Sequence, residues 1–444
     1  MLRSHLPFAR IALLLGALLL TPEVQAQAPA SGPSTAEEDA ERYRSLETFA
    51  RVLSYVEGNY VDPVERSRLM EGAIHGMLQT LDPHTVYMPP DVFRAMKMDT
   101  AGAFGGLGLE IARKGERIVV ISPLDDTPAS RAGIRAGDEL VAIDGKALRG
   151  MELAEVMRLM RGAPGEKAQL TLMRRGFAAP RTFAVVRDHI RVRSVEGGLH
   201  GDVAHLRIKS FQDRTDAQLR RELERLQAQL GDTPLKGIVL DLRNNPGGLL
   251  EQAVAVASRF LDDGLTIVTT RGRNGRRSGV EKSRGPASHA NTPMVVLINA
   301  GTASASEIVA GALQDHQRAV LMGSRTFGKG SVQTVISFED GSGLKLTIAR
   351  YDTPSGRSIQ ERGIWPDFLV EEPPQGTKPI LREQDLARHL VNETAAPDPQ
   401  APPPPPPEAQ RDYASTLSMK DAPLRAALNL LHHGGTIRTA TSTH

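Results

Sequence analysis

Apolar residues recur at helical spacing over the first part of the chain. Between residues 36 and 98 they follow an i, i+3, i+4, i+7 repeat, as at Leu46, Phe49 and Leu53, which predicts helices with one apolar face. The stretch LDPHTVYMPP interrupts the repeat with prolines, and we predict a loop there. The pattern therefore indicates a helical N-terminal region over 27–100.

The pattern changes to short strands and turns over residues 101–189. RIVVISP and AQLTLMRRG are predicted to be strands, and the glycine-rich FGGLGLEI leads into another strand. Leu153, Val156 and Met160 mark one face of a helix at 151–161. We predict a small β-rich domain with one main helix.

Residues 190–372 alternate strands with helices. Helices are predicted at 215–230, 249–261 and 304–314. The predicted buried strands are VAHLRI, KGIVLDLR, LTIVTT, MVVLINA and AVLMG. This alternation is typical of an α/β fold. After Gly330 the pattern becomes a pair of strands, SVQTVISF and LKLTIARY, so the fold class is α/β with β-rich additions.

The last part of the chain has a different composition. Residues 373–410 contain PDPQAPPPPPPE, which predicts a stiff, extended linker. Residues 411–444 contain the amphipathic stretch APLRAALNLL, which predicts a C-terminal helix.

Residues 1–26 have the features of a secretory signal peptide. Arg3 and Arg10 supply positive charge, Ile11–Leu20 is apolar, and VQA is a small-x-small cleavage site. An apolar run of about 10 residues is too short for a bilayer core that needs about 20. We expect the mature chain to begin near Gln27 in the periplasm.

Charge and cysteine content exclude several kinds of chemistry. Lys and Arg total 54 against 52 Asp and Glu, so electrostatics gives no reason to expect nucleic acid as a partner. The chain has no cysteine, which excludes disulfides, a thiol nucleophile and Cys-based metal sites. No paired-histidine spacing is present, and we expect no metal.

The segment GSRTFGKGSVQ, residues 323–333, partly matches a phosphate-binding loop. Its glycines and Lys329 fit, but Gly330 stands where Ser or Thr should follow. Such a loop also needs a helix after the lysine, because helix amides hold the phosphates. The residues after Lys329 alternate as in a strand, so we predict that Lys329 does not hold a nucleotide.

Lys329 is a candidate general base. Its neighbours Phe327, Gly328 and Gly330 favour burial over the solvated position that is usual for lysine. Burial penalises the ammonium and can lower a lysine pKa by roughly 3–5 units. On a strand, Gln333 would share a face with Lys329, and its uncharged amide could orient the amine.

The stretch NAGTASASEIVAGAL places hydroxyl groups where a buried strand leads into a helix. Thr302, Ser304 and Ser306 are candidate nucleophiles, because amides at a helix start can hold a developing oxyanion. The alternative is helix capping, since Ser304 and Glu307 form a capping-box pair. Spacing alone does not choose between these hydroxyls.

The turn NNPGG follows the strand GIVLDLR. Gly247 and Gly248 therefore come at the carboxyl end of a strand, where α/β sheets place their sites. Their amides can approach a ligand closely because no side chain intervenes, although the pair could also be only a tight turn. A hydroxyl, a desolvated lysine and two amide donors are the parts that a Ser-Lys hydrolase needs.

Several motifs, in this order, resemble the carboxyl-terminal processing (tail-specific) serine proteases: GGLGLEI, DLRNNPGGLL, GTASASEI, GSRTFGKGSVQ and DGSGLKLTIARYDTPSGRSIQERGIWPD. The resemblance covers about residues 40–372, and DAPLRAALNLL is similar to a terminal helix of many members. It implies an inserted PDZ domain over 101–189. It also implies a Ser-Lys protease core with a ClpP/crotonase-like α/β fold over 190–372.

The resemblance also implies roles by motif position. Ser304 corresponds to the nucleophile, Lys329 to the general base and Gln333 to its orienting partner. The oxyanion hole is implied at the amide of Ala305 together with that of Gly247 or Gly248. No cofactor and no metal are implied.

The PDZ interpretation has a physical basis of its own. The amides of GGLGL can receive a terminal carboxylate, and the adjoining strand can pair with an added peptide strand. The residues concerned are Gly106, Leu107, Gly108 and Leu109. A glycine-rich turn is the alternative, but AGIRAGDELVAIDG downstream favours PDZ. Arg161 resembles a position that couples the PDZ domain to the protease; the alternative is a solvated helix end.

We therefore expect a periplasmic serine endopeptidase that binds flexible C-terminal tails of proteins through its PDZ domain and cleaves through an acyl-enzyme. The alternative function is a non-catalytic PDZ adaptor for envelope proteins. Expected partners are protein substrates and further copies of the chain in a homo-oligomer, with an adaptor protein considered as well. Nucleic acid is not expected.

Overall fold

The computed structural model describes residues 36–124, 126–370, 381–392 and 421–433. The chain divides into two compact units, the first ending at Glu71 and the second beginning at Gly72. The predicted signal peptide and the polyproline stretch lie outside the described residues. Within the described ranges, no helix combines the length and apolar character needed to cross a bilayer.

The first unit consists of helix α1 (Ala36–Asn59) and the start of α2 (Arg66–Leu78). Helices are confirmed here, and part of the apolar face of α1 is exposed. Leu46 and Phe49 are 64% and 42% exposed, because nothing in this unit packs on that stripe. Helical spacing identifies an apolar stripe but does not show what covers it.

The second unit continues with a short strand and a helix that the sequence predicted only in part. Strand β1 (Val86–Met88) lies inside the stretch predicted as a loop, and helix α3 (Pro90–Ala101) follows it. Pro90 occupies the first turn of α3, where its missing N–H costs nothing.

The domain predicted over 101–189 is a small antiparallel sheet. The chain enters and leaves this domain through a two-stranded ribbon. Its elements are β2 (Ala103–Gly106), β3 (Leu109–Lys114), β4 (Arg117–Pro123), α4 (Pro128–Arg131), β5 (Glu139–Ile143), β6 (Lys146–Ala147), α5 (Leu153–Met160), β7 (Lys167–Met173), β8 (Arg181–Val186) and β9 (Asp188–Arg191). The sheet order is β3-β4-β5-β7-β8 with β6 on β5, and β2 pairs with β9 to form the ribbon. Strand β3 is thus an edge strand. Val156 and Met160 of α5 are buried in this domain's own hydrophobic core.

The remaining elements form the larger core. They are β10 (Val195–His200), β11 (Val203–Ile208), α6 (Thr215–Leu230), β12 (Gly237–Asp241), α7 (Leu250–Ser258), β13 (Thr266–Arg271), β14 (Arg277–Lys282), β15 (Met294–Ile298), α8 (Ala305–Asp315), β16 (Val320–Gly323), β17 (Ser331–Ser337), β18 (Gly343–Asp352), β19 (Phe368–Leu369) and α9 (Ala422–His433). The helices predicted at 215–230, 249–261 and 304–314 correspond to α6, α7 and α8.

A six-stranded sheet of order β10-β11-β12-β15-β16-β19 forms the centre of this core. All neighbouring strands are parallel except β10 and β11. In β12, Ile238 and Leu240 face the cluster formed with α6, α7 and α8, whereas Val239 faces the cluster formed with α9. Burial on both faces explains why these strands are uninterrupted apolar runs.

A second, antiparallel sheet has the order β1-β18-β13-β14, with β17 also paired to β18. The predicted strand LTIVTT is present as β13, and it belongs to this second sheet and not to the central one. The loop prediction was wrong at β1, whose Val86 and Met88 pair with Lys345 and Gly343 of β18. Short strands completed by distant partners carry little local signal.

Residues 381–392, predicted as part of the linker, pack against the core. A short 3-10 turn, Glu383–Asp385, lies here, and the Glu383 side chain is fully buried. His84 approaches both carboxylate oxygens of Glu383, at 2.8 and 2.9 Å. This contact fixes the segment on the core.

Candidate active site

Ser304 occupies the sharp turn between strand β15 and helix α8. Its backbone angles, φ 56° and ψ −119°, fall in a region that residues with a side chain rarely adopt. Such strain costs about 1–3 kcal/mol and persists where surrounding structure imposes it, most often at functional sites. A Cβ on Gly247 would lie 2.8 Å from the Ser304 Cβ, so the glycine turn packs directly against this serine.

The other two candidate hydroxyls are already used in the core. Ser306 Oγ donates to the carbonyl of Asn245 at 3.0 Å, and Thr302 Oγ1 donates to the carbonyl of Leu242 at 2.8 Å. Both residues are completely buried, whereas Ser304 is half-buried and lines an open cavity. Of the three hydroxyls, only that of Ser304 faces the cavity.

Lys329 lines the same cavity from the loop between β16 and β17. Burial, and to a smaller extent the neighbouring Lys345, lowers its pKa to about 8, although the carboxylates of Glu383, Asp82 and Glu307 act in the opposite direction. No described residue forms an ion pair or hydrogen bond with Nζ. The residues after Lys329 form strand β17 and not the helix that a phosphate-binding loop needs.

Glu307 links the backbones on which these two residues lie. Its side chain is fully buried and accepts hydrogen bonds from the N–H groups of Ser304 and Lys329, at 2.8 and 2.9 Å. Thr326 Oγ1 and the Gly328 N–H donate to its other oxygen, at 2.5 and 2.7 Å. Burial raises the pKa of Glu307 to about 7, against the opposing effect of these donors.

The glycine turn and the start of α8 each leave an N–H group unused beside Ser304. The Gly247 N–H donates to Asn245 Oδ1 at 2.9 Å, so it is engaged. Gly248 and Ala305 have no acceptor for their N–H groups among the described residues. Of the two glycines left open by the sequence, Gly248 is therefore the one whose amide is available to a ligand.

Gln333 lies on β17 and lines the cavity, but its amide does not contact Lys329 through a hydrogen bond. Its Nε2 donates to Ser331 Oγ at 2.9 Å and to Thr347 Oγ1 at 3.4 Å. Lys329 itself precedes β17, which begins at Ser331, so the shared strand face predicted for the pair is not what brings them to one cavity.

Two further side chains in the cavity were missed by sequence reasoning. Burial lowers the pKa of Lys345, whose cationic head lies near that of Lys329. Tyr351 is buried, and its hydroxyl donates to the Lys329 carbonyl. Burial raises the pKa of Tyr351 well above its usual value, although a hydrogen bond with the Ser304 side chain acts to lower this pKa. Both residues belong to LKLTIARY, which was predicted as a strand without chemistry.

The cavity that holds these groups has a volume of about 1140 Å³. Ser304, Lys329, Gln333, Gly248 and Ala305 all line it. Helix α3 and the segment that follows β11, residues 210–213, supply further walls. An open cavity of this size can admit an extended stretch of peptide.

The residues predicted to bind a peptide tail lie at the edge of the small antiparallel domain. Gly106 ends β2, Leu109 begins edge strand β3, and Leu107 and Gly108 connect them. The N–H groups of Leu107 and Gly108 have no acceptor in the described part of the chain. Gly108 has φ 78°, and a Cβ there would lie 2.3 Å from Thr127 Cβ, so only glycine fits.

Arg161 directly follows the last residue of α5. Its guanidinium lies 5.4 Å from the centre of the Phe104 ring and 3.8 Å from Asp99 Oδ1. Phe104 belongs to the connecting ribbon and Asp99 to α3, which lines the cavity. Arg161 thus joins α5 to elements next to the candidate site.

Comparison with protein families agrees with this architecture. Residues 202–370 match peptidase family S41, residues 119–174 match the PDZ domain, and residues 16–92 match the activating protease CtpB N-terminal domain. The fold and these matches define a PDZ-containing protease of the serine type that processes carboxyl termini.

Similarity to individual proteins extends over most of the chain. A carboxy-terminal-processing protease of Bartonella bacilliformis is 43% identical over 362 residues, which cover 80% of this chain and 83% of the relative. The carboxy-terminal processing protease CtpA of Bacillus subtilis is 35% identical over 335 residues, which cover 74% and 70%. The chain belongs to peptidase family S41, which confirms the resemblance.

Among solved structures, a photosystem II D1 C-terminal processing protease is similar to this chain at 33% identity. The match covers 76% of this chain and 94% of that protease, with a TM-score of 0.44.

Proposed function

We propose that the protein is a periplasmic endopeptidase that cleaves proteins with flexible C-terminal tails by Ser-Lys catalysis. Lys329 takes the proton of Ser304 as Oγ attacks the peptide carbonyl. The resulting ammonium returns the proton to the leaving amine as the C–N bond breaks, which leaves an acyl-enzyme. Water, deprotonated by Lys329, then attacks the ester and releases the new C-terminus.

The observation that carries this proposal is the environment of Lys329. A lysine with a pKa of about 8 and no described partner for Nζ is partly neutral near physiological pH, as a general base must be. It lines one cavity with Ser304, whose hydroxyl lies at a helix start. A solvated surface lysine would stay an ammonium and could not accept the proton.

The tetrahedral intermediate would place its negative oxygen between two backbone amides. The N–H groups of Gly248 and Ala305 are unengaged among the described residues, and both residues line the cavity with Ser304, which supports them as the oxyanion hole. Donors held in place before the reaction stabilise the oxyanion without reorganisation, and each is worth roughly 10²–10³ in kcat.

The arrangement described here fits a resting enzyme. No hydrogen bond joins Ser304 Oγ to Lys329 Nζ among the described atoms, and the Gln333 amide is bonded to Ser331 and Thr347. Catalytic hydrogen bonds in unliganded enzymes are often loose and shorten when substrate binds. We therefore assign Gln333 to orienting Lys329 in the substrate-bound state.

The PDZ domain would capture the substrate tail before cleavage. The free N–H groups of Leu107 and Gly108 suit a terminal carboxylate. Edge strand β3 can accept the tail as an added strand, and α5 forms the opposite wall of the groove. The side chains that line such a groove would select the final residues of the tail.

The location and assembly of the enzyme rest on the ends of the chain. The signal-peptide pattern of residues 1–26 supports export to the periplasm, and mass spectrometry of the mature protein should find an N-terminus near Gln27. The exposed apolar stripe of α1 supports a homo-oligomer, which light scattering would measure directly. An adaptor protein that delivers substrates would be sought by pull-down with Ser304→Ala.

Digestion of a flexible protein tests the proposed chemistry. Wild type should cleave it, whereas Ser304→Ala should be inactive and Lys329→Ala should lose most activity while remaining folded. Equal cleavage by wild type and Ser304→Ala would exclude Ser304 as nucleophile. If purified wild type cleaved no flexible protein at all, a non-catalytic PDZ adaptor would be the function left to test.

A further inference from the structure

Asp82, in the loop before β1, accepts several hydrogen bonds. It is 6% exposed, and its Oδ1 accepts from the N–H groups of His84 and Thr85, at 2.9 and 3.1 Å. Its two oxygens also accept from the hydroxyls of Thr85 and Thr347, at 2.6 and 3.1 Å. A carboxylate has no hydrogen to donate, so the Thr347 hydroxyl hydrogen must point to Asp82.

This assignment fixes the next link in the chain of hydrogen bonds. Because Thr347 uses its only hydrogen on Asp82, its oxygen can only accept from the Gln333 amide, which lies 3.4 Å away. The other Gln333 hydrogen goes to Ser331 Oγ, at 2.9 Å. The NH₂ group of Gln333 is therefore held by two hydroxyls, and its carbonyl oxygen Oε1 is the part left for the cavity.

The orientation of this amide decides what Lys329 can do. A carbonyl oxygen facing Nζ accepts one of its N–H groups, leaves the lone pair for the Ser304 proton and stabilises the ammonium that then forms. A flipped amide would present NH₂ instead, which would compete for the lone pair and repel the ammonium. The two orientations have nearly the same shape but opposite effects on the base.

We propose that Asp82 and Thr347 are positioning residues that orient the Gln333 amide, so that its oxygen and not its NH₂ group is presented to Lys329. This inference rests on the proposed Ser-Lys function and deepens it. Asp82 comes from the loop before β1, and Thr347 from β18, which pairs with both β1 and β17. Through the pairing of these strands, Asp82 influences the orientation of the Gln333 amide, which it does not contact.

A purely structural role is the competing explanation. The Thr347 N–H also donates to Thr85 Oγ1 at 3.2 Å, so the same residues could simply anchor the loop on the sheet. An anchor would affect stability and the fraction of folded enzyme. It would not alter the pH at which Lys329 loses its proton, and this difference separates the two explanations.

The experiment replaces Thr347 by Val, which keeps the shape and removes the hydroxyl. We expect kcat on a flexible substrate to fall at least about tenfold with KM within about twofold, since acid–base catalysis is impaired and binding is not. The acidic limb of the kcat/KM profile should move to lower pH, because the ammonium loses its acceptor. Thr347→Ser should restore both values.

Thr334→Val is the matched control, since Thr334 lies on β17, the strand of Gln333, and its side chain has no hydrogen bond among the described residues. Gln333→Ala should lose activity as Thr347→Val does, and the double variant should lose no more, because Thr347 acts only through Gln333. Additive losses, or a Thr347→Val profile with an unmoved acidic limb, would overturn the inference.

Thr347→Ala provides a second variant if Thr347→Val does not fold. It removes the same hydroxyl without placing a new methyl group beside the Gln333 NH₂ group, and the same shift of the acidic limb to lower pH is expected. An unmoved limb in this variant overturns the inference. Failure of the proposed function gives a different result, because Ser304→Ala would then cleave as well as wild type.

Discussion

The backbone N–H groups of Ser304 and Lys329 donate to the same atom, Oε2 of Glu307, at 2.8 and 2.9 Å. The two residues lie on separate loops, after β15 and after β16, and one buried carboxylate holds both loops. The separation of the proposed nucleophile and base is therefore set by backbone contacts. Glu307 caps helix α8 and at the same time builds the site.

Replacement of Glu307 by Gln should test this double role. The new NH₂ group would face N–H donors, so at least one buried donor loses its acceptor, which costs about 1–3 kcal/mol in the free energy of unfolding. We expect kcat to fall at least about tenfold, because the loops shift. Denaturant unfolding and kcat measured together check both effects.

The control for this substitution is Glu224→Gln on helix α6. Glu224 is exposed and contacts Arg220 at 2.9 Å, so the same chemical change should alter unfolding by less than about 1 kcal/mol. A Glu307→Gln enzyme with wild-type kcat would show that the shared carboxylate does not set the catalytic geometry.

The fold was predictable where one face or both faces of an element are buried by sequence neighbours. The parallel strands β11, β12 and β15 read as apolar runs because helices cover both sides of their sheet. Strand β1 was not predictable, because three residues paired to a strand more than two hundred positions later leave no local pattern. The exposure of the apolar stripe of α1 was not predictable either, because periodicity does not identify a partner.

The site was predictable only as far as motifs extend. The resemblance assigned Ser304 and Lys329, but it left the oxyanion donor open between Gly247 and Gly248. That choice depends on the Asn245 side chain, which accepts the Gly247 N–H. Spacing also could not reveal the contact between Asp82 and Thr347, since it depends on the pairing of β1 with the distant strand β18.

The pH dependence of activity should follow the proton on Lys329. A base must be deprotonated to act, and the pKa of Lys329 is about 8, so kcat/KM should rise with pH through about 8. Lys345→Met removes a neighbouring cation that lowers this pKa. The pKa of Lys329 should then rise, and the acidic limb should move to higher pH.

Lys167→Gln on PDZ strand β7 is the control, since it removes an exposed lysine far along the chain from the cavity lining. Its profile should match wild type. A Lys345→Met limb that stayed in place or moved to lower pH would contradict the electrostatic effect of Lys345 on Lys329.

Gly248→Ala should selectively impair the oxyanion hole. The residue has φ 140°, and a Cβ would lie 2.1 Å from the Phe211 carbonyl oxygen, so the turn must shift and carry the N–H group with it. We expect kcat to fall roughly 10²–10³-fold, the usual effect of removing one oxyanion donor. Steady-state kinetics with one peptide substrate measures this loss.

Gly264→Ala separates the loss of a donor from general backbone strain. Gly264 has φ 81° but open space where a Cβ would be, so alanine there should cost about 1 kcal/mol of stability without altering kcat. Similar kcat values for the two variants would show that the position of the Gly248 amide does not matter.

Arg161→Gln should separate tail binding from cleavage. Arg161 contacts Phe104 of the ribbon and approaches Asp99 of α3, whereas the proposed tail groove lies between α5 and edge strand β3. We expect the affinity of the PDZ domain for a tail peptide, measured by fluorescence anisotropy, to stay within about twofold, while kcat on a tail-bearing protein falls several-fold, by about 1 kcal/mol of lost coupling.

Arg158→Gln is the matched control on the same helix. Its side chain is 77% exposed and lies 3.9 Å from Glu155, within α5, so it has no contact through which to influence the cavity. If both variants kept the wild-type kcat, Arg161 would be an ordinary helix end. If Arg161→Gln weakened tail binding as much as kcat, its role would belong to the peptide groove, because a coupling residue must change cleavage after the tail is already bound.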